Sequence, residues 1–332
     1  MKKTVIAAAT LALFTSAANA EPVSLKFGYP APVQTAAGQV VLAWNKDVVM
    51  ASDGTLEIKM FPGATLANFN NVLDRIMNGV IEIGMGVFGE YTAQFPKTDA
   101  PSLPFECRNT TECSIALWRL YSNGVAADEL AQVKPLALFN FPGASLQSTK
   151  SITRAEDLKG TKVVATGRTL AQATTLMGGA PVTLGPQDYY EALSRGTANV
   201  VIVSWPGAQT FKLQEIAKYH VDVPFGYFPS FIFMNKDAYG KLPQKARESI
   251  DRYAGEPFSR RLGEGGDKAT EDVKERWKAL PGHTVSTLAP QESERWKKIL
   301  EPVTTDWVKR TPDGEKVLAA FRAELIKIRS GK

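Results

Sequence analysis

Apolar residues recur along the chain with two periodicities, one typical of strands and one typical of helices, and segments of the two kinds alternate. Residues 25–29 and residues 56–60 have apolar side chains at every second position, and the first segment ends at a proline, which predicts a strand in both places. Val40, Trp44 and Val48 recur about every 3.6 residues and predict an amphipathic helix. The same patterns predict strands at residues 81–85, 136–141, 162–165, 200–203 and 231–234, and helices at 72–77, 166–176 and 189–193. Strands that alternate with helices indicate βαβ units and a largely parallel sheet.

The pattern changes character twice along the chain. It restarts after Pro135 with a new series of strands and helices, which predicts two α/β lobes. Beyond Asn235 the chain becomes charged and helical, in the segments 242–280 and 290–328, which prolines interrupt. The fold class is therefore α/β, with two lobes and a helical C-terminal part.

Composition and charge limit the class of protein. The chain has 332 residues, of which 44% are hydrophobic and 22% charged, and this globular composition excludes collagen-like, coiled-coil and disordered proteins. The formal net charge is +5, and no long run of like charges forms a basic stripe. We therefore predict that the protein has no nucleic-acid partner.

The N-terminus has the pattern of a secretory signal peptide. A pair of lysines precedes a short apolar segment, residues 5–14, and an Ala-Asn-Ala cleavage site that ends at Ala20. A bilayer-spanning helix needs about 20 apolar residues, so cleavage is favoured over an uncleaved anchor. We expect residues 1–20 to be removed, leaving an exported, soluble protein that begins at Glu21.

The cysteines and histidines are few. After export, an oxidising compartment favours a disulfide between Cys107 and Cys113, and two separate thiols are the alternative. His220 and His283 are distant from the cysteines in sequence, so we predict neither a metal site nor another cofactor. The chain has no HExxH, GxSxG, P-loop or GxGxxG motif, and we predict that it is not an enzyme and has no catalytic residues.

With nucleic-acid binding and catalysis predicted to be absent, the sequence favours a protein that binds a small molecule. Ligands of open α/β sheets bind beyond the carboxyl ends of the strands, where this chain carries aromatic and small polar residues. The candidate ligand-binding residues are Tyr29, Asn68, Phe69, Phe88, Thr166, Ser204, Trp205, Phe225 and Tyr227. Each aromatic residue taken singly has an equal alternative as part of the core, but their concentration at strand ends favours a concave aromatic cleft.

Several motifs, in order along the chain, resemble the solute-binding proteins of TRAP transporters. The first-lobe motifs are residues 61–66 (FPGATL), 79–83 (GVIEI) and 103–105 (LPF). The later motifs are residues 156–163 (EDLKGTKV), 179–182 (GAPV), 188–196 (DYYEALSRG), 234–236 (MNK) and 242–243 (LP). The similarity covers most of residues 25–255.

The resemblance implies a two-lobed periplasmic binding protein of the type II-like class, with mixed β-sheets flanked by helices. It implies a first lobe of residues 21–140 and 231–257, a second lobe of residues 141–230 and 281–332, and a long helix over residues 258–280 that spans both. Such a receptor closes over a small organic acid about hinge strands, which we expect near residues 140–145 and 228–232. It then delivers the acid, as a monomer, to the TRAP membrane permease subunits, which an ion gradient drives.

One position departs from the family pattern. Family members have an arginine two residues after the lysine of the DLKG-x-K motif, where it binds the ligand carboxylate, and this chain has Val164 there. Arg168, at the start of a predicted helix, is the candidate replacement, and a solvated surface arginine is the alternative. The loss of this charge-assisted bond, together with the aromatic candidates, predicts an aromatic or otherwise largely apolar monocarboxylate as ligand. The alternatives to transport are a ligand-binding partner of a membrane sensor kinase and, from another class, an exported enzyme on the same fold.

Overall fold

The computed structural model describes residues 21–331, and the expected signal peptide lies outside that range. The strands are β1 (Val23–Tyr29), β2 (Leu56–Pro62), β3 (Ile83–Val87), β4 (Val133–Phe141), β5 (Ala144–Ser148), β6 (Lys162–Val164), β7 (Ala180–Val182), β8 (Val200–Ser204), β9 (Tyr219–Asp222), β10 (Phe228–Asn235) and β11 (Thr284–Thr287). The α-helices are α1 (Ala36–Ala51), α2 (Val72–Met77), α3 (Thr110–Ser122), α4 (Arg168–Leu176), α5 (Tyr189–Ser194), α6 (Trp205–Thr210), α7 (Lys236–Gly240), α8 (Gln244–Tyr253), α9 (Glu256–Lys278), α10 (Pro290–Arg310) and α11 (Gly314–Arg329).

The strands form two separate sheets. The first has the order β2-β1-β3-β10-β4 and the second the order β11-β9-β5-β8-β6-β7. Both sheets are mixed: β1 runs parallel to β2 and β3 while β10 is antiparallel to β3 and β4, and β6 runs parallel to β7 and β8 while β5 is antiparallel to β8 and β9. The two-lobed α/β fold is confirmed, with mixed sheets in place of a largely parallel one. The chain passes between the sheets at residues 142–143 and 223–227.

The periodic apolar face of α1 forms much of the first-lobe core. Val41, Trp44 and Val48 are fully buried along one side of the helix. The Trp44 ring stacks on Phe258 of α9 at 4.8 Å between centroids and meets the edge of Phe27 in β1 at 6.5 Å. These contacts fix α1 and α9 against the same face of the first sheet.

Strand β4 lies at the edge of the first sheet, and helices cover its free side. The backbone N–H of Leu138 donates to the Ser259 hydroxyl of α9 at 3.1 Å, and that of Asn140 donates to the Ser114 hydroxyl of α3 at 2.9 Å. Two outward-facing donors of an edge strand are thereby satisfied by side chains.

Helix α9 is 23 residues long, about 35 Å at 1.5 Å per residue, and packs on both lobes. Its first half contributes Phe258 and Leu262 to the first-lobe core, and its second half contributes Val273 and Trp277 to the second-lobe core. The structure therefore has the long helix that the resemblance implies. It begins at Glu256, because proline is accepted in the first turn and Pro257 does not break it.

The C-terminal residues are shared between the lobes, which differs from the assignment of residues 281–332 to the second lobe. β11 pairs with β9, and Trp296 of α10 lies in the second-lobe core. Trp307 at the other end of α10 and Phe321 of α11 are fully buried with residues of α3 on the first-lobe side. The physical reason is that α3 presents apolar surface away from its sheet, which α11 covers.

A disulfide joins Cys107 to Cys113, with 2.15 Å between the sulfur atoms, just before and within α3. Two arginines of α11 pair with glutamates of this region, Arg322 with Glu106 at 2.6 Å and Arg329 with Glu112 at 2.8 Å.

Within residues 21–331, no helix has the length and apolarity needed to cross a membrane.

Candidate functional site

A cavity of about 600 Å³ lies between the two lobes. The first lobe contributes residues 31–37, which follow β1 and begin α1, and residues 139–142 at the end of β4. The second lobe contributes Ser204 at the end of β8 and the start of α6, and α9 passes along the cavity. The cavity therefore lies at the carboxyl ends of β1 and β8, where open α/β sheets bind ligands.

The walls of the cavity are mostly apolar or neutral. The apolar side chains include Phe139, Phe141, Leu262 and Val273, together with several alanines and prolines. The neutral polar residues are Gln34, Thr35, Asn140, Ser204, Gln209 and Thr210. The charged lining residues in the described part of the chain are Asp272 and Arg276. Such a wall suits a small ligand with a large apolar part and little charge.

Two hydroxyl groups fix the helix starts that form opposite walls. Thr35 Oγ1 accepts from the backbone N–H of Gly38 at 3.2 Å, and Ser204 Oγ accepts from that of Gly207 at 3.2 Å. Gly38 also permits a close approach, because a Cβ there would lie 2.5 Å from the carbonyl oxygen of Val33. The loop after β1 is consequently held against the first turn of α1.

One polar side chain on the cavity wall has no hydrogen-bond partner within residues 21–331. Asn140, in the part of β4 that lines the cavity, is 1% exposed, and neither side-chain amide atom is bonded. Buried polar atoms are usually satisfied, so Asn140 is a candidate for contact with ligand or water. The hydroxyl of Tyr29, at the end of β1, is buried beside Thr35, and this burial raises the pKa of the phenol to about 12.

The charged residues on the cavity wall differ in their pairing. Asp272 accepts two hydrogen bonds from Lys268, one helical turn earlier, at 3.0 and 3.1 Å. Arg276 Nη2 donates to the neutral side-chain oxygen of Gln209 in α6. A guanidinium group thus faces the cavity with an uncharged partner.

Among the eleven residues expected in the ligand site, Ser204 is the one that lines this cavity. The rings of Phe88, Trp205 and Phe225 are 0–1% exposed and pack in the core, so they do not line this cavity. Phe88 packs among other phenylalanines, including Phe231 at 5.1 Å, and Phe225 stacks on Trp296 at 5.5 Å.

Trp205 turns inward because it has an internal hydrogen-bond acceptor. Its ring nitrogen donates to Asp222 at 3.1 Å, and its ring lies 5.7 Å from that of Trp277 in α9. Tyr227 also packs inward, against the residues around the disulfide, and burial raises the pKa of its phenol. Val164 is fully buried in the second-lobe core with Val201. The position therefore offers no group that could bind a carboxylate in the cavity.

The remaining expected residues have local roles. Asn68 accepts from two backbone N–H groups in the turn before α2, and Phe69 is half-buried against the first-lobe core. Thr166 Oγ1 lies 2.9 Å from the Tyr189 hydroxyl. The Arg168 side chain is 68% exposed and lies 3.5 Å from Asp306 of α10.

Sequence reasoning missed Phe139, Phe141 and Arg276. The two phenylalanines belong to the strand predicted at residues 136–141, and their position just before Pro142 was an available signal for the cavity. Arg276 carried no local signal, because the path of α9 past the cavity depends on the packing of both lobes.

A two-lobed α/β protein with a largely apolar cavity between its lobes is built as a solute-binding protein. The model of the family described as "Bacterial extracellular solute-binding protein, family 7" (DctP) matches residues 27–311. The chain belongs to this family, whose members are extracytoplasmic solute receptors of the kind that the sequence motifs resemble.

Individual relatives agree with the family assignment. A TRAP solute-binding protein from Rhodoferax ferrireducens T118, solved with copurified benzoate, has 26% identity and a TM-score of 0.85 over 92% of this chain and 98% of its own. A marine metagenome TRAP protein specific for aromatic acid ligands, solved with 3-hydroxybenzoate, has 26% identity and a TM-score of 0.85 over 93% and 99%. The outer membrane transporter protein TsaT of Comamonas testosteroni is 27% identical over 89% of both chains.

Proposed function

We propose that this protein is a periplasmic receptor for an aromatic or otherwise largely apolar monocarboxylate. The observation that carries the proposal is the cavity between the lobes, whose walls include Phe139 and Phe141 and a single basic residue, Arg276. A dicarboxylate or a sugar acid would need more charged or polar partners than these walls offer. Two relatives that were solved in complex with benzoate and with 3-hydroxybenzoate support the same ligand class.

Binding acts by joining surfaces of both lobes. The loop after β1 lies on one lobe and Ser204 lies on the other, so a ligand that contacts both stabilises the closed arrangement. The links at residues 142–143 and 223–227 are the positions where the lobes would rotate.

Export and delivery complete the proposal. Residues 1–20 would be removed after Ala20, and the liganded receptor, as a monomer, would release its acid to the TRAP permease subunits in the membrane. Transport by these permeases depends on an ion gradient. The acid would be released chemically unchanged, because none of the lining residues is a nucleophile paired with a general base.

A panel of ligands tests the ligand class. We expect benzoate and 3-hydroxybenzoate to raise the melting temperature of the mature protein and to bind in isothermal titration, while succinate does neither. Binding by succinate without binding by either aromatic acid would overturn the proposal. Chromatography after long incubation should return the bound acid intact; a product would instead indicate an enzyme.

A matched pair of variants tests the location. Phe141→Ala removes a ring from the cavity wall, and Phe228→Ala removes the half-buried ring that pairs with it across β4 and β10 but does not line the cavity. We expect only Phe141→Ala to weaken binding of benzoate, by about two- to tenfold, because an aromatic contact contributes about 0.5–1.5 kcal/mol. Equal losses in both variants would place the ligand elsewhere.

The membrane partner needs a separate experiment. Uptake of radiolabelled benzoate by vesicles that contain a TRAP permease should require the receptor and an ion gradient. Binding of the liganded receptor to a sensor-kinase ectodomain, without uptake, would favour the sensory alternative.

A further inference from the structure

We propose that Arg276, near the second-lobe end of α9, binds the carboxylate of the ligand. The inference deepens the proposed function and rests on it, because it requires an anionic ligand in the cavity between the lobes. It assigns the charge partner that position 164 lacks in this chain.

The arginine position implied by the family resemblance is closed to this role. Val164 is 0% exposed and packs in the second-lobe core with Tyr189 and Val201. The other candidate, Arg168, lies 3.5 Å from the carboxylate of Asp306 and does not line the cavity. An anion in the cavity must therefore find its cation on another element.

The guanidinium group of Arg276 has N–H donors beyond the one that binds Gln209. Its Nη2 donates to Gln209, and a guanidinium carries five N–H donors in a fixed fork. The Gln209 side chain lines the same cavity, so its bond to Arg276 holds the fork beside the space where a ligand would lie. A carboxylate fits such a fork with two parallel hydrogen bonds.

The charge pattern of α9 leaves this arginine uncompensated. Along the second half of the helix, Lys268 pairs with Asp272 at 3.0 Å, Lys274 with Asp222 at 2.6 Å and Lys278 with Glu275 at 2.6 Å. Within residues 21–331, no carboxylate lies within 4.0 Å of Arg276 to form an ion pair. Asp272 also lines the cavity, and each of its carboxylate oxygens accepts a hydrogen bond from Lys268, which offsets its charge.

The face of α9 toward the cavity also matches the shape of an aromatic acid. Leu262, Gly266, Ala269, Val273 and Arg276 recur at intervals of three or four residues and so lie along one side of the helix. The face is apolar over its first-lobe and central part and cationic at its second-lobe end. A ligand with an apolar ring and one carboxylate would lie along this face with its carboxylate at Arg276.

The test compares charge variants and ligands of equal shape. Arg276→Gln, Arg276→Lys and Arg168→Gln are titrated with benzoate and with benzamide, its neutral analogue. We expect Arg276→Gln to lower the affinity for benzoate by at least about tenfold, as for loss of a hydrogen-bonded charge, and to leave that for benzamide unchanged. Arg276→Lys should restore part of the benzoate affinity, and Arg168→Gln should stay within twofold of wild type.

Gln209→Ala serves as the structural control, because it removes the internal partner of Arg276 without removing the charge. It should reduce benzoate affinity less than Arg276→Gln does, and both variants should melt within a few degrees of wild type. If wild type binds neither benzoate nor 3-hydroxybenzoate, the proposed function fails. The role of Arg276 is overturned, and the proposed function stands, in either of two cases in which wild type binds benzoate. In the first, Arg276→Gln binds benzoate as tightly as wild type does. In the second, Arg276→Gln loses as much affinity for benzamide as for benzoate.

Discussion

His220 Nε2 lies 2.9 Å from Nδ1 of His283, so the two histidines of the chain are hydrogen-bonded to each other. On the buried side, His220 Nδ1 lies 2.6 Å from the side-chain oxygen of Gln147, whose NH₂ group donates to Ser145. On the exposed side, His283 Nε2 lies 3.2 Å from Lys218 Nζ. Because Gln147 must accept and Lys218 must donate, both histidines are neutral and each carries its proton on Nδ1.

This pair predicts a loss of stability in acid. Burial lowers the pKa of His220 to about 3 and also lowers that of His283, whereas an unfolded histidine titrates near 6.5. At these two histidines the unfolded chain therefore binds more protons below pH 6.5, and the contribution of His220 to the free energy of unfolding should fall by about 2.5 kcal/mol by pH 4.5.

Denaturant unfolding at pH 7.0, 5.5 and 4.5 checks this prediction. His220→Gln cannot take up the proton, so its free energy of unfolding should fall less steeply with acid than that of wild type. Carboxylates titrate in both proteins and cancel in the difference. Parallel pH dependences would contradict the prediction.

Gly263 of α9 packs directly against the backbone of α3. A Cβ at this position would lie 2.7 Å from the Thr111 Cα and 3.1 Å from the Thr110 carbonyl oxygen, and backbone atoms cannot move aside easily. We expect Gly263→Ala to lower the free energy of unfolding by about 1–3 kcal/mol. The control is Gly240→Ala in α7, where the added Cβ meets nothing within 4 Å and should leave stability unchanged or slightly raised. Equal stabilities of the two variants in urea would show that α9 can shift away from α3.

Phe88 should behave as a core residue. Its ring is fully buried against Phe95, Phe231 and Phe233 at 5.1–5.9 Å. Phe88→Ala should therefore lower the free energy of unfolding by about 3–5 kcal/mol, as measured by denaturant unfolding. The folded variant should keep its affinity for benzoate. A selective loss of affinity with unchanged stability would return Phe88 to the ligand site.

Ser259 should contribute through a single hydrogen bond. Its hydroxyl accepts from the N–H of Leu138 on the outer edge of β4, and Ser259→Ala would leave that buried donor unsatisfied. We expect a loss of about 1–3 kcal/mol in the free energy of unfolding. Ser122→Ala, at an exposed helix end, is the matched control and should change stability by less than about 0.5 kcal/mol. Protection of the Leu138 amide from hydrogen exchange should fall only in the first variant.

The sequence predicts elements well where one side of them faces solvent. The spacing of Val41, Trp44 and Val48 in α1 follows from a helix with one buried face. Helix α3 was missed because it lies between β4, α9 and α11 and is buried nearly all round, so its apolar residues show no period. Strand β5 was missed because Ser145 and Gln147 are polar yet fully buried, and their hydrogen bonds are visible only in the folded protein.

The site was less predictable than the fold for a related reason. The end of a strand fixes where a loop begins but not the direction in which its side chains point. Trp205 follows β8 as expected, yet its ring nitrogen donates a hydrogen bond to Asp222 and the ring lies in the core. The cavity wall is instead completed by Phe139 on a hinge strand and Arg276 on a helix far along the chain.

The route of the C-terminal helices has a consequence for motion. α10 is anchored in the second lobe by Leu300 and Val303, on either side of Pro302, and on the first-lobe side by Trp307. Any rotation of one lobe against the other must strain α10 as well as the strands that cross between the sheets. A C-terminal tail that packs on both lobes therefore limits how far the protein can open.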